Sequence, residues 1–206
     1  MNIAQSLFES EHICLGPINF EKDPEIEARW SEDADYLRMV SLEPARPSSP
    51  AQIKKMYEDI EKGQEENKNL FYFTIRMRAD DRLIGFARLD WIDWSNGCGY
   101  VALGIGDPND RNQGYGTETL RLLLRFAFDE LNLYRLAAII PEYNAAALRL
   151  FEKAGFVEEV RRRQAVNRFG RRWDLLHLGV LRNEWETHRS PDEPAIGLQY
   201  ERPAGF

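Results

Sequence analysis

The most regular pattern in the chain runs from Tyr100 to Leu131. Tyr100 to Ile105 is an apolar run of strand length that stops at the breakers Gly106, Asp107 and Pro108. Beyond a polar loop and the glycines Gly114 and Gly116, Leu120, Leu123, Leu124, Ala127 and Leu131 recur at helical spacing, with Arg121, Arg125 and Asp129 on the other side. Strand, glycine turn and helix start in that order predict an anion site. The first-turn N–H groups lack intrahelical acceptors and stand at the positive end of the helix dipole.

The flanking patterns fill out the rest. Ile13 to Phe20 reads as a strand, and Asp23-Pro24 as a helix start. Ile26, Trp30, Tyr36, Leu37 and Val40 supply the apolar side of one or two short helices. Glu43 to Pro50 is proline-dense and predicts an exposed loop. Ser48 or Ser49 then caps a helix from about Pro50 to Lys62, with Ile53, Met56, Tyr57 and Ile60 on one face. From Leu70 the pattern becomes strand-like: Leu70 to Met77 and Leu83 to Trp94 flank a polar turn, and Ser95-Asn96-Gly97 turns into the strand at Tyr100. After the central helix come a strand at Arg135 to Ile140, a helix at Tyr143 to Ala154, and strands Arg161 to Val166 and Trp173 to Leu181 around a turn at Gly170. One α/β domain over residues 1–186 follows, with a proline-bearing tail, residues 187–206, that is either extended or docked.

Composition narrows the chemistry. At 206 residues, 43% hydrophobic and 30% charged, the chain has the makings of one full core. A net charge of −7 argues against a general nucleic-acid or anionic-membrane binder and suits a cationic substrate such as an amine. Two distant cysteines and three scattered histidines show no metal-ligand spacing, so neither a disulfide nor a metal is expected. With no secretory h-region or long apolar span, a cytoplasmic protein is the expectation.

The loop before the central helix excludes two familiar phosphate binders. A P-loop needs Lys and Ser/Thr after its last glycine, where Thr117 and Glu118 stand, and the dinucleotide fingerprint needs three glycines as GxGxxG, of which Arg111-Asn-Gln-Gly114-Tyr-Gly116 supplies only a pair, with a basic residue first. The pattern present, Arg111-x-x-Gly114-x-Gly116, resembles the acyl-CoA pyrophosphate loop of the GNAT N-acetyltransferases. Asn144, Ala147, Leu148 and the block Leu150 to Phe156 resemble that family's N-x-x-A-x-x-L-Y-E-K-x-G-F. Gly170 to Asp174 and Leu181 to Trp185 resemble the closing hairpin of its RimJ/RimL-type subgroup. On these separate blocks, in the right order, the chain is identified as a GNAT member over about residues 10 to 186.

The resemblance implies an α/β (α+β) GNAT fold: a mixed central sheet of about seven strands with flanking helices, splayed between the fourth and fifth strands. It implies acetyl-CoA as co-substrate. Leu103, Gly104 and Ile105 would offer a strand edge, Arg111, Asn112, Gln113, Gly114, Tyr115, Gly116 and Thr117 would hold the pyrophosphate, and Asn144 and Phe151 would face the pantetheine arm. It also implies a homodimer. Two positions depart from the family: its leaving-group tyrosine is Phe151, and its strand glutamate is Tyr100. Asp90, Asp93 and Glu43 are replacements by location only, and Tyr100 and Asp93 are the residues assigned here to catalysis. Blander readings accompany these: Asn144 as a helix cap, Tyr100 as a half-buried strand aromatic, and Arg161, Arg162, Arg163, Arg168, Arg171 and Arg172 as a solvated face. The implied activity is acetyl transfer to a primary amine, either a protein N-terminus or a small amine, by direct attack in a ternary complex. Neither cysteine has an activating partner for a covalent route. The alternative is a CoA-binding sensor or scaffold that has lost turnover.

Overall fold

Seven strands form one sheet in the order β1-β2-β3-β4-β5-β7-β6 in the structure, a computed structural model that describes residues 7–188. The chain runs β1 (Ile13–Gly16), α1 (Asp23–Trp30), α2 (Ala34–Val40), α3 (Pro50–Asn67), β2 (Phe71–Met77), β3 (Leu83–Asp93) and β4 (Cys98–Ile105). It continues through α4 (Tyr115–Arg125), β5 (Arg135–Pro141), α5 (Ala145–Lys153), β6 (Val157–Arg168), β7 (Arg171–Leu181) and α6 (Arg182–His188). The mixed α/β class and the seven-strand sheet agree with the expectation. The tail prolines Pro191, Pro194 and Pro203 lie outside the described residues.

The strands up to β4 pair antiparallel, β2 to β4 as hairpins between short turns and β1 after the three-helix excursion that separates it from β2. β5 then joins β4 in parallel, and α4 makes the crossover that parallel pairing requires. The main core lies between the sheet and α4, where Leu120, Leu123, Leu124 and Ala127 are buried as their spacing predicts. Leu122 and Arg125 are buried too, so α4 is covered on more than one side, and Arg125 does not lie on a solvated face. The helix widens at its end into a π-turn, Phe126–Glu130, where the Leu131 amide reaches back to the Phe126 carbonyl. That turn sets Phe126 among Phe8, Phe71 and Phe73, at centroid distances of 5.2 to 5.6 Å.

The other sheet face carries α1 and α3, which pack through Ala28, Ile53, Tyr57 and Tyr72. α3 opens with a full capping box between Ser49 and Gln52. It runs five residues past the expected end at Lys62 and closes on Lys68 in the left-handed region. Of Leu181 to Trp185, expected as part of the closing hairpin, only Leu181 belongs to β7, and Arg182 to Trp185 starts α6. The Glu184 carboxylate accepts from the Leu181 amide, and Trp185 packs on Phe128 at 5.0 Å.

One buried ion pair fixes α1 on the sheet. Asp23, fully buried in the first turn, accepts from Nη2 of Arg76 on β2 through both carboxylate oxygens, at 2.8 and 2.6 Å. It also takes the Asn19 amide. Removing one partner of a buried pair strands the other charge, so Asp23→Ala should lower unfolding free energy by about 3–5 kcal/mol in urea titration. One turn on, burial raises the Glu27 pKa above its ordinary 4.5, although a hydrogen bond from the Tyr57 hydroxyl opposes it. A carboxylate with a raised folded pKa destabilises the fold once it is ionised, so the cost appears as pH rises through that range. Glu27→Gln should therefore stabilise the protein at pH 7, with the gain shrinking as urea titrations are repeated toward pH 4.

Candidate active site

β4 and β5 are paired only through Cys98–Arg135, Gly99–Leu136 and Tyr100–Ala137. Past that point they part. β4 stays bonded to β3 as far as Ile105, and β5 to β7 as far as Pro141, so both outer edges are satisfied while the inner edges are open. Backbone groups left unpaired in this way need a partner from water or a ligand.

The parting opens into a cavity of about 630 Å³. One side is β4, at Leu103, Gly104 and Ile105; the floor of the mouth is the loop and first turn of α4, at Arg111, Asn112, Gly114, Gly116 and Thr117. Gly114 caps α4 with φ +92°, a conformation that favours glycine, and the position a Cβ would take there is open space. The second wall is α5 with the loop before it, including Asn144, Arg149, Leu150 and Lys153, and α2 closes the third side with Tyr36, Met39 and Val40. Gly106, just past β4, allows that closure: a Cβ there would stand 2.0 Å from the Trp30 indole.

Three of the expected contacts are placed elsewhere. Phe151 is 4% exposed and packs edge-on against Phe156 at 4.9 Å, because its helical turn points into the core and not along the Asn144 face. Gln113 and Tyr115 are not on the cavity wall, and Tyr115 lies partly buried against the main core. Arg111 reaches the cavity with its guanidinium already engaged: it donates to the carbonyls of Ile105 and Gly106, pairs with Asp33 at 3.4 Å and stands over the Tyr36 ring. It joins the end of β4 to the start of α2. Asp93 sits at the far end of β3 opposite Cys98, so roughly 17 Å of strand at ~3.4 Å per residue separates it from Leu103. Its carboxylate is held by Asn96 and Ser95, which lower its pKa below the usual 3.8. Tyr100 is half-buried at the last β4–β5 pair, with the Trp91 ring 5.4 Å away. Glu43, named by location in the proline-rich loop, is linked through its carbonyl to Arg168.

Asn144 has two bonds. Its Oδ1 caps α5 by accepting from the Ala147 amide, and its Nδ2 donates 3.1 Å to the Met39 carbonyl at the end of α2. Beside it the Tyr143 hydroxyl donates to the Arg38 carbonyl at 2.8 Å. The tip of the β6–β7 hairpin joins this strap: Phe169 and Trp173 pack on Tyr143, and Arg168 donates to the Leu42 carbonyl. The arginine-rich hairpin is therefore only partly a solvated face. Arg161 pairs with Glu158, Glu142 and Asp174, and the Gln164 amide, followed by the Arg161 guanidinium, holds Asp174 below its ordinary pKa. The α2 wall and the cations Arg149 and Lys153 were not anticipated. The cations alone carry a sequence signal, standing one helical turn apart on the helix that Asn144 begins.

A sheet parted between parallel strands, with a helix N-terminus at its mouth, is an α/β arrangement whose free backbone groups suit an extended ligand with an anionic end. The family follows from direct comparison. Residues 12–157 match the acetyltransferase (GNAT) domain, and the chain belongs to that family. YjcK of Bacillus subtilis (strain 168), described as a probable N-acetyltransferase, is 30% identical over 161 residues, covering 74% of this chain and 84% of that one. A solved structure described as a probable acetyltransferase superposes with a TM-score of 0.75 at 25% identity, covering 85% of this chain and 96% of its own. The spermidine N-acetyltransferase of Vibrio cholerae, solved with CoA and spermine, shares the fold at TM-score 0.73 and 18% identity, over 84% of this chain and 98% of that one. The protein is an acetyl-transfer enzyme. No helix among the described residues is long and apolar enough to cross a membrane.

Asn144→Ala removes both a cap and the tie to α2. It should cost about 1–2 kcal/mol in thermal or denaturant unfolding, and hydrogen exchange should quicken at Met39 and Val40 while the β4 interior is unchanged.

Proposed function

We propose that the protein transfers acetyl from acetyl-CoA to a primary amine by direct attack in a ternary complex, with residues 1–186 as its single catalytic domain. The observation that carries this reading is the parting of β4 from β5 with the α4 N-terminus at its mouth. A pantetheine arm has amides of its own and pairs with the open edge at Leu103 to Ile105 as an added strand would. The amides of the Gly114 to Thr117 turn suit its pyrophosphate, and Arg149 and Lys153 set two positive charges on the adjoining wall for the remaining phosphate. Asn144 meets the arm by exchanging its bond to Met39. An N–H of the open edge polarises the thioester carbonyl, an oxyanion contact that strengthens as charge develops.

Phe151 supplies no proton to the departing sulfur. A thiol of pKa about 8.5 leaves tolerably as thiolate and is protonated by water. The acceptor reading favours a small cationic amine: the chain is acidic at −7, and a protein of the same fold was solved with spermine. A protein N-terminus of the RimJ/RimL type is the second acceptor class, supported by the Leu181 to Trp185 block. A non-catalytic CoA sensor remains the rival, favoured by Tyr100 and Phe151 at positions where relatives carry working side chains.

Gly116 provides the test. A Cβ there would lie 3.6 Å from Leu150 and 3.9 Å from Leu103, ordinary contact, so Gly116→Ala should fold and serve as control. Gly116→Glu places a carboxylate where the pyrophosphate should lie and should weaken acetyl-CoA binding at least tenfold by calorimetry. Undiminished affinity would show that the pyrophosphate lies elsewhere.

A further inference from the structure

Beyond the cavity, the sheet brings together a half-buried carboxylate and two aromatic rings at the apex of the parting. Alternate residues of β4 share a face, so Gly104, Ala102 and Tyr100 form one row. That row is on the α2 side, since a Cβ on Gly104 would meet Val40 at 2.8 Å. The β3 register lays Phe86, Arg88 and Asp90 beside them as direct partners, Asp90 opposite Tyr100. Tyr100 is in turn the last β4 residue still paired to β5. Asp90 therefore stands one strand away from the point at which the two edges separate.

The strand is deformed there. Between Asp90–Tyr100 and Asp93–Cys98 the register skips, and Trp91 takes φ +50°, a left-handed conformation that is costly for a bulky residue. The bulge leaves the Trp91 indole 71% exposed and sets it 5.4 Å from the Tyr100 ring at 73°. Strain that exposes an aromatic ring contributes nothing to the core, and strain of this kind collects at functional sites. Asp90 has its Oδ2 2.9 Å from Nε of Arg88 as an ion pair that lacks hydrogen-bond alignment, and among the described residues Oδ1 has no donor either. Burial raises its pKa above the usual 3.8 despite Arg88, which makes it the better proton acceptor of the two aspartates on β3. Tyr100 offers only a phenol hydroxyl beside that carboxylate.

We propose that Trp91, Tyr100 and Asp90 form the acceptor subsite, where the two aromatic faces hold a cationic amine and Asp90 Oδ1 receives its proton. The subsite rests on the acetyl-transfer reading above. The bound ammonium first passes one proton through Asp90 Oδ1 to water, and the lone pair so freed forms the N–C bond at the thioester carbonyl carbon. The C–S bond then breaks, and sulfur leaves with the bonding pair as thiolate. The nitrogen's second proton becomes far more acidic as the N–C bond forms and leaves by the same route, and the thiolate takes a proton from water. An ammonium ion and a thioester thus give an amide, a thiol and one proton. The aromatic pair supplies the attraction for the cation before it loses that proton.

The test uses the full chain, with spermidine and an Ala-Ala-Ala peptide amide as acceptor probes, thiol release for rate, and calorimetry for acetyl-CoA affinity. Asp90→Asn should lower kcat/KM for the amine at least 100-fold, Asp90→Glu should recover a tenth or more of the wild-type value, and both should keep acetyl-CoA Kd within twofold. Trp91→Ala should raise the amine KM at least fivefold with a smaller change in kcat. An Asp90→Asn enzyme within threefold of wild type, or one whose acetyl-CoA affinity falls along with its rate, overturns the subsite and leaves the transferase reading standing. A wild-type protein that binds acetyl-CoA and releases no thiol with either amine overturns both.

Discussion

The incomplete pairing of β4 with β5 is the constraint on which the molecule depends. Three residue pairs hold the strands together, and then each is bonded only on its outer side, β4 to β3 and β5 to β7. Two antiparallel halves thus meet along one short parallel seam. A fully closed seam would satisfy every N–H and C=O but leave no edge to offer; a fully open one would divide the core. The three pairs keep one sheet, and the free edges beyond them acquire a use only when an extended ligand supplies the missing partners.

The surrounding elements keep the parted edges accessible and bounded. Gly114 lets α4 begin at the mouth, and Gly106 lets Trp30 and the α1–α2 region lie against the end of β4. The buried Asp23–Arg76 pair fixes α1 to β2 and so anchors the helices that lead into α2. Arg111 ties the end of β4 to the start of α2, while Tyr143 and Asn144 tie the end of α2 to the β5–α5 loop. These last ties run between opposite sides of the opening and use neutral hydrogen bonds to backbone carbonyls, individually worth about 1 kcal/mol, so a ligand has little to displace on entering.

Polarity within the site follows the same division. Cations gather toward the mouth, where Arg149 and Lys153 line the wall, whereas the half-buried carboxylate of Asp90 lies at the apex. An anion-bearing carrier and a cationic acceptor would therefore find complementary charge at opposite ends of one seam. The acidic balance of the whole chain adds a weak long-range attraction for any cationic ligand.

What the sequence determined by itself was local. Gly114 and Gly116 before the Leu120, Leu123, Leu124 and Ala127 stripe specify a turn and a helix start, and Asn144 specifies a cap, because spacing along one chain fixes each of these. Even the short parallel seam was legible, through resemblance, as a splay between the fourth and fifth strands. The burial of Phe151 was not, since Asn144 and Phe151 at i and i+7 share a nominal helix face and only packing against Phe156 decides which edge of that face looks inward. Asp93 and Asp90, three residues apart, were indistinguishable as letters. The bulge at Trp91 separates them, sending Asp93 to cap a turn and setting Asp90 opposite Tyr100. Register between strands is a tertiary choice, made by the pairing of residues distant in the chain, and that choice brought the carboxylate and the aromatic rings together.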